Sequence, residues 1–318
     1  MQNSKTLEAD NTENDEKKIS QVFDRSFKRL MAVSSPTIVL FINGIFGTNY
    51  PLDTPVSQLS TEYVTDSLDK FFADILLLVG NDKYLVEAQM TDDKEMALRI
   101  FNYGYLDAVK NRTVEDDNVI RVRLPRCIVI YLEPSNSTPD ELTVELEFPD
   151  NTLHRLTVPT IRFLDYSIAE LEERNMTLLL PFYLLKLRKQ VKAAEESGRL
   201  KELSPVVASL VEDISKAIAR SEQRGHISAS DARAILEMMG KLYNNIYGEY
   251  SDFKEAKIMI NDMMLTYSEE AILRNSMEIA QKLMRKGWTS EEIAETVNLD
   301  VSTVESLYKG KSQGAIQV

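Results

Sequence analysis

Residues 74–103 read DILLLVGNDKYLVEAQMTDDKEMALRIFNY, and this stretch predicts the centre of the fold. An unbroken apolar run over 75–79 is followed by the turn signal Gly80-Asn81-Asp82 and by a second short run over 83–90 with alternating character. Apolar runs bounded by turn residues are typical of strands joined in a hairpin. Apolar residues then recur at three- and four-residue intervals over 92–110, which predicts a helix after the hairpin.

The predicted hairpin carries two carboxylates and an amide. Asp74 begins the first strand, and Glu87 and Gln89 share one face near the end of the second strand because strand side chains alternate. The three side chains therefore converge at the end away from the turn. With the backbone carbonyl of Ala88 they would form an all-oxygen site suited to Mg²⁺ or Mn²⁺. Such an ion activates water and stabilises charge on a phosphate, which indicates phosphodiester hydrolysis. Solvent-facing acids without a function are the alternative.

The predicted helix carries a cation and a phenol on one face. Arg99 and Tyr103 are four residues apart, so they are neighbours on the helix surface. If this helix packs beside the hairpin, the pair could contact a phosphate or order the acids. The alternative is an arginine stem that lies over an aromatic ring on a helix surface.

The order of these elements resembles the PD-(D/E)XK nuclease superfamily. More narrowly, it is similar to the recombination-promoting nucleases, a branch also described as PD-(D/E)XK family transposases, in which E-x-Q commonly replaces E-x-K and an R-x-x-x-Y helix follows. The stretches FDRSFK at 23–28 and IVLFINGIF at 38–46 resemble the opening of that family. The resemblance covers roughly the first half of the chain, and its motifs are specific by order and spacing rather than one by one.

The resemblance implies a role for each residue of the hairpin site. Asp74 and Glu87 would ligate the divalent ion together with the Ala88 carbonyl. Gln89 would take the position of the superfamily's lysine and orient the attacking water. An amide carries no positive charge and is no general acid, so this departure leaves open whether the site is active.

Basic residues are candidates for substrate contacts. By the resemblance, Lys28 would lie near the site on the first helix, one turn after Asp24, although a surface ion pair is the alternative. Arg121 and Arg123 alternate with apolar residues, which predicts that they share a strand face and contact phosphates. A solvated polar edge that includes Glu115 is the alternative for this second pair.

The composition limits the class of protein. A length of 318 residues predicts two domains. The chain has 37 basic and 50 acidic residues and a net charge of −13, which argues against steady non-specific binding to nucleic acid without a local basic patch or screening metal ions. The single cysteine, Cys127, excludes a disulfide framework and indicates a reducing compartment. Two histidines are too few for a His-rich zinc site.

The N-terminal residues and the length of the apolar runs indicate where in the cell the protein is expected. Residues 1–18 are polar and mostly acidic, so we expect a disordered tail without a signal peptide. No apolar run reaches the ~18 residues that span a bilayer. We therefore expect a cytoplasmic protein with no membrane partner.

The remaining patterns predict an α/β domain followed by helices. An apolar strand over 127–132 should be central, and 140–148 with 153–158 should form a hairpin. The prolines within 48–60 indicate a loop. We predict a PD-(D/E)XK-like mixed sheet flanked by helices over 19–190, and an all-α region after it. That region divides into a helical subdomain over 191–270 and a tail over 271–318.

The tail resembles a helix-turn-helix. Residues 287–307 read GWTSEEIAETVNLDVSTVESL, in which Thr289 to Glu292 is typical of a capping box. Thr303, Glu305 and Ser306 occupy the recognition helix, where base reading normally uses Arg, Lys, Asn or Gln. Three small helices also form packing or dimerisation modules. The expected partners are therefore DNA and a second copy of the chain, held through the C-terminal helices.

Two functions follow as expectations. The first is a metal-dependent DNA endonuclease, a hydrolase that by its resemblance belongs with mobile elements or phage defence. The second is a catalytically inactive nuclease-fold protein that acts as a protein-interaction module through its helical half. The acidic balance and Gln89 favour the second. The sequence does not choose between DNA and RNA.

Overall fold

The computed structural model describes residues 19, 21–64, 70–93, 95–116 and 118–312. The chain divides into two compact units, Met1–Asn261 and Asp262–Val318. The tail over 1–18, which the sequence predicts to be disordered, lies outside the described residues.

The first unit is built on a six-stranded mixed sheet with strand order β1-β4-β5-β8-β10-β9. Its strands are β1 Val56–Gln58, β4 Ile75–Val79, β5 Asp82–Gln89, β8 Arg126–Tyr131, β9 Glu141–Glu147 and β10 Leu153–Arg162. Two small antiparallel pairs lie apart from the sheet: β2 Glu62–Val64 with β3 Lys70–Phe72, and β6 Thr113–Asp116 with β7 Val119–Arg121. Strands β5, β8 and β10 run parallel to one another, whereas β4 is antiparallel to β5 and β9 to β10.

Helices flank this sheet and predominate in the described residues after it, which confirms the predicted fold class of a mixed sheet followed by an all-α region. They are α1 Gln21–Leu30, α2 Ser35–Phe46, α3 Met96–Lys110, α4 Ile168–Glu173, α5 Arg188–Glu196, α6 Leu200–Gln223, α7 Ala229–Tyr247, α8 Lys254–Arg285, α9 Ser290–Val297 and α10 Val301–Ser312. A 3₁₀ helix covers Thr177–Leu187. The boundary between the two units falls within α8.

The predicted hairpin forms as β4 and β5. Gly80 has a φ of +60°, a left-handed conformation that glycine adopts without strain, so the chain reverses over two residues. Ile75 pairs with Val86, and this register brings Asp74 level with Glu87. One face of the hairpin packs against α3 in a buried cluster that includes Leu76, Leu85, Val129, Met96, Ile100 and Tyr103. Helix α3 is thereby fixed beside the acidic end of the hairpin.

Helices α1 and α2 pack into the core of the first unit. Gly44 on α2 lies so close to the backbone of Arg174 that an added Cβ would stand 1.9 Å from its carbonyl oxygen. No single described helix is long and apolar enough to cross a membrane. The pair α1 and α2 passes that test by length and composition together, but it is bent by 117°.

The helices after the sheet pack around a buried segment. The 3₁₀ helix at 177–187 is almost entirely buried and contacts α4, α5, α6 and α7. Asp231 on α7 also accepts hydrogen bonds from the Ser34 backbone N–H at 2.9 Å and the Thr37 hydroxyl at 2.8 Å. Residues up to Asn261 therefore belong to the same compact unit as the sheet, whereas the sequence pattern predicts a separate helical subdomain over 191–270.

Two local predictions need correction. The segment 48–60 is not wholly a loop, because Val56–Gln58 forms β1 and pairs with β4 at the sheet edge. Arg121 and Arg123 do not share a strand face, because β7 ends at Arg121 and residues 122–125 belong to no strand. The alternation of Arg121 and Arg123 with apolar residues is visible in the sequence, but the residue at which the strand ends is not.

Candidate functional site

Asp74 and Glu87 contact each other at the open end of the β4–β5 hairpin. The Asp74 backbone N–H donates to Glu87 Oε1 at 3.0 Å, and the Ala88 backbone N–H donates to Asp74 Oδ2 at 2.9 Å. Asp74 is 8% exposed and Glu87 only 1% exposed. The convergence of the two acids, predicted from strand register, is confirmed, and backbone hydrogen bonds hold both carboxylates in place.

Lys28 on α1 reaches this pair from the other side. Its Nζ lies 3.2 Å from Asp74 Oδ1 and 3.1 Å from Asp24 Oδ1, so the ammonium bridges two carboxylates. The Asp24–Lys28 pair is thus a local helix ion pair that also contacts Asp74. The sequence placed Lys28 near the site but gave no signal for its contact with Asp74, because the two residues lie 46 positions apart and meet only in the folded chain.

Burial dominates the proton affinities at the site. It raises the pKa of Asp74 to about 6, and the nearby Asp24 adds to the rise, while the Ala88 N–H and the Lys28 ammonium oppose it. The pKa of Glu87 stands well above its ordinary value, first because of burial and then because of the neighbouring Asp74 charge. Burial lowers the pKa of Lys28, but attraction to Asp74 and Asp24 outweighs this effect, so the pKa of Lys28 is raised overall. Both carboxylates are therefore harder to ionise in the folded protein than in water.

An open cavity of about 260 Å³ adjoins the acids. The polar side chains that line it are those of Gln21, Asp24, Lys28, Asp74, Gln89 and Arg99. Glu87 is almost fully buried and does not line the cavity. Gln89 and Arg99, predicted as site residues, therefore face the same space as the exposed edge of Asp74.

Arg99 is held from two sides. Its Nη1 lies 2.8 Å from Asp93 Oδ2, and its Nε donates to the Tyr103 hydroxyl at a long 3.4 Å. Tyr103 is 5% exposed and belongs to the core cluster between α3 and the sheet. The phenol thus positions Arg99 and does not line the cavity itself.

Arg121 and Arg123 lie elsewhere. Both line a second cavity, of about 440 Å³, at the turn end of the hairpin beside Lys83. Lys83 and Gln89 are six residues apart on β5, which corresponds to about 20 Å at roughly 3.3 Å per strand residue. The structure therefore does not bring these two arginines to Asp74 and Glu87.

The donor chemistry at the first cavity suits a hard divalent cation. The Asp74 carboxylate and Ala88 line this cavity, and the Glu87 carboxylate contacts Asp74 without lining it. Burial raises the pKa of each acid, and a bound Mg²⁺ or Mn²⁺ would favour the charged carboxylates. Among the described residues, no cluster of three or more His, Cys, Asp or Glu side chains is arranged to hold a metal, so waters would have to complete the coordination shell.

The C-terminal unit contains a small helical core. Thr289 and Glu292 form the predicted capping box, in which the Glu292 N–H donates to the Thr289 hydroxyl and the Glu292 carboxylate accepts from the Thr289 backbone N–H. The core of this unit consists of Ala280, Ile293, Ala294, Val297 and Val304. Glu305 and Ser306 on α10 are exposed and Thr303 is half-buried. The helices expected for a helix-turn-helix are present, and the exposed face of α10 carries no basic side chain over 301–307.

Comparison of the chain with known protein families, with curated proteins and with solved structures gives no significant match.

Proposed function

We propose that the protein is a metal-dependent DNA endonuclease of the PD-(D/E)XK type, similar to the recombination-promoting nucleases of mobile elements or phage defence. One observation carries the proposal: Asp74 and Glu87 are in contact at the end of the hairpin, beside a cavity that Lys28, Gln89 and Arg99 also line. Buried carboxylates next to cations in an open cavity are typical of hydrolytic sites.

Asp74, Glu87 and the Ala88 carbonyl would hold Mg²⁺ or Mn²⁺. When bound, the ion supplies a water of lowered pKa and stabilises negative charge on the phosphate. The backbone N–H groups of Asp74 and Ala88 fix the two carboxylates, and the Glu87 side chain would have to shift toward the cavity to ligate the ion. Burial and the neighbouring Asp74 charge raise the pKa of Glu87, and a nearby cation would oppose that rise.

Lys28 supplies the positive charge that Gln89 lacks. The amide of Gln89 lines the cavity and can orient a water by hydrogen bonding, but it cannot stabilise charge as an ammonium does. The Lys28 ammonium lies 3.2 Å from Asp74 and lines the same cavity. In this proposal it would attract the phosphate and stabilise charge on it, a role that the neutral Gln89 amide cannot fill.

Arg99 contacts the substrate phosphate in this proposal. Its side chain is 41% exposed, faces the cavity and is oriented by Asp93 and Tyr103. A guanidinium binds phosphate through two parallel N–H donors, so an oriented arginine fixes both position and direction. We expect the C-terminal unit to contribute DNA contacts or a dimer interface, since its α9 and α10 resemble a helix-turn-helix.

The test is the nicking of supercoiled plasmid in Mg²⁺ or Mn²⁺ at low ionic strength, since the net charge of −13 weakens binding to DNA. Asp74→Asn and Glu87→Gln should abolish nicking while circular dichroism stays unchanged. Glu147→Gln removes an exposed strand carboxylate far along the sheet order from β4 and should leave nicking intact. Equal nicking by the wild type and by folded Asp74→Asn would refute the assignment.

The second candidate is a catalytically inactive protein-interaction module. The observation that favours it is the Lys28–Asp74 ion pair, which offsets part of the carboxylate charge without any metal. This function requires that calorimetry detects no Mg²⁺ or Mn²⁺ binding and that folded wild type does not nick DNA or RNA. Metal-dependent nicking that is lost in Asp74→Asn would eliminate it.

A further inference from the structure

The second cavity lies at the turn end of the β4–β5 hairpin and is separate from the carboxylate site. Four parts of the first unit build it: the hairpin turn, the end of α3, the β6–β7 pair and the segment 122–126. Its polar lining consists of Asn81, Asp82, Lys83, Asn111, Thr113, Glu115, Arg121, Arg123 and Arg126. Four cations and two carboxylates make this lining net positive, although the whole chain carries −13.

Two of the four cations are already neutralised. Lys83 Nζ lies 2.6 Å from Asp107, a residue only 4% exposed, and Arg121 Nη1 lies 2.5 Å from Glu115. Arg123 and Arg126 form no ion pair within the part of the chain that the structure describes. Both are exposed and line the cavity, so their charge is available to a ligand.

The guanidinium of Arg126 has a defined position. It lies 5.9 Å from the centre of the Tyr84 ring, and the Tyr84 hydroxyl is held 2.7 Å from that of Tyr50. Tyr50 also donates to Asp82 at 2.6 Å. This contact with the ring uses none of the guanidinium's N–H donors in a hydrogen bond to a carboxylate, and a guanidinium can bind a phosphate through two parallel hydrogen bonds.

The rest of the lining narrows the class of ligand. The Asn111 amide hydrogen-bonds to Asp107, which fixes one wall, and Asn81 and Thr113 add further polar groups. Asp82 and Glu115 would accept hydrogen bonds from hydroxyl or amino groups, which a bare phosphate does not have. A volume of about 440 Å³ falls in the size range of small-ligand pockets, well above that of a single ion.

We infer that this cavity binds a nucleotide through its phosphate, with Arg123 and Arg126 as the phosphate ligands. The nucleotide is either free or a unit of a nucleic-acid strand, since both present the same phosphate and sugar. The cavity lies about 20 Å along β5 from Gln89, so the phosphate bound here is not the one next to Asp74. The inference holds whether or not the first cavity hydrolyses DNA.

The test is equilibrium binding to the full chain in EDTA, so that no cleavage occurs. Three probes are titrated: inorganic phosphate, a nucleoside monophosphate and a short single-stranded oligonucleotide. The variant Arg123→Ala/Arg126→Ala should weaken binding about tenfold or more, because each guanidinium makes charge-assisted hydrogen bonds to phosphate. The matched variant Arg199→Ala/Lys201→Ala also removes two positive charges, from residues that do not line the cavity, and should bind as the wild type does.

Two further variants separate the outcomes. Arg123→Glu changes an exposed residue outside the strands, so it should weaken binding even if loss of the Arg126–Tyr84 contact unfolds the double variant. Asp74→Asn should not reproduce the loss of binding expected for Arg123→Ala/Arg126→Ala, which distinguishes this cavity from the carboxylate site. Binding of the monophosphate supports a free nucleotide, and binding of the oligonucleotide alone supports a strand. If no probe binds, or if both charge-removal variants bind with equal affinity, the inference is wrong.

Discussion

Replacing Asp74 with asparagine should stabilise the metal-free protein at pH 8. The pKa of Asp74 in the folded chain is about 6, against an ordinary value of 3.8. The folded state therefore binds this proton more tightly than the unfolded state. Stability from the protonated group is fully present below about pH 4 and is lost as the pH rises through 6. A difference of about two pH units at about 1.4 kcal/mol each gives a loss on the order of 3 kcal/mol at pH 8.

Asparagine resembles the protonated acid and avoids this loss. Its side-chain oxygen can still accept the hydrogen bond from the Ala88 N–H. The pKa of Asp74 already includes the attraction of Lys28, so no separate correction is needed for that contact. We expect Asp74→Asn to raise the free energy of unfolding by about 3 kcal/mol at pH 8 and by much less at pH 4.

Urea unfolding in EDTA at pH 4 and pH 8 measures the effect, with circular dichroism as the signal. Trp288 is the only tryptophan and lies in the C-terminal unit, so its fluorescence reports whether that unit is unchanged. Glu147→Gln removes an exposed carboxylate and should change stability by less than about 0.5 kcal/mol. Mn²⁺ should then stabilise the wild type and not Asp74→Asn. If the variant is less stable than the wild type at pH 8, the ionised Asp74 carboxylate does not destabilise the folded protein and the reasoning is wrong.

Three further changes test other contacts. Lys28→Gln should lower the rate of plasmid nicking at least about tenfold, because in the proposed mechanism the positive charge beside Asp74 stabilises charge on the phosphate. Lys28→Arg keeps the charge and should retain more activity. Equal nicking rates for Lys28→Gln and the wild type would show that Lys28 has no role in the reaction. Gly44→Ala should destabilise the first unit by about 1–3 kcal/mol in urea, since its Cβ would collide with the Arg174 carbonyl. Asp231→Ala should cost about 2–4 kcal/mol by leaving the first turn of α2 without its acceptor, and an unchanged urea midpoint would contradict this.

The hairpin site could be predicted because it depends on residues that are close together in the sequence. Alternation in β5 and a two-residue turn fix which side chains lie at the same end, and the observed register puts Asp74 level with Glu87. The period of α3 was ambiguous from the sequence, which allowed either Met96 and Ile100 or Leu98 and Tyr105 to face the core. The structure buries the first pair and exposes the second, a choice set by the sheet that packs on the helix.

Contacts between distant segments could not be predicted. Lys28 meets Asp74 because α1 packs across the open end of the hairpin, and no spacing in the sequence encodes that approach. The sequence likewise did not show which helices belong to the first unit. The buried segment at 177–187 attaches α6 and α7 to the first unit through tertiary packing, whereas amphipathic periodicity reports only that each helix has an apolar face.

If both proposals hold, the two cavities would let an acidic chain bind a polyanion. Non-specific binding depends on the number of phosphates that cations neutralise, and a chain with a net charge of −13 has few cations to spare. Two of the four cations at the second cavity are paired with carboxylates, Arg121 with Glu115 and Lys83 with Asp107. The cations left without a carboxylate at the second cavity are Arg123 and Arg126, and at the first cavity a divalent ion would supply the missing charge. Binding should therefore be weak on generic DNA and strong only for a ligand whose phosphates fit these positions, with a shallow salt dependence that reflects few neutralised phosphates.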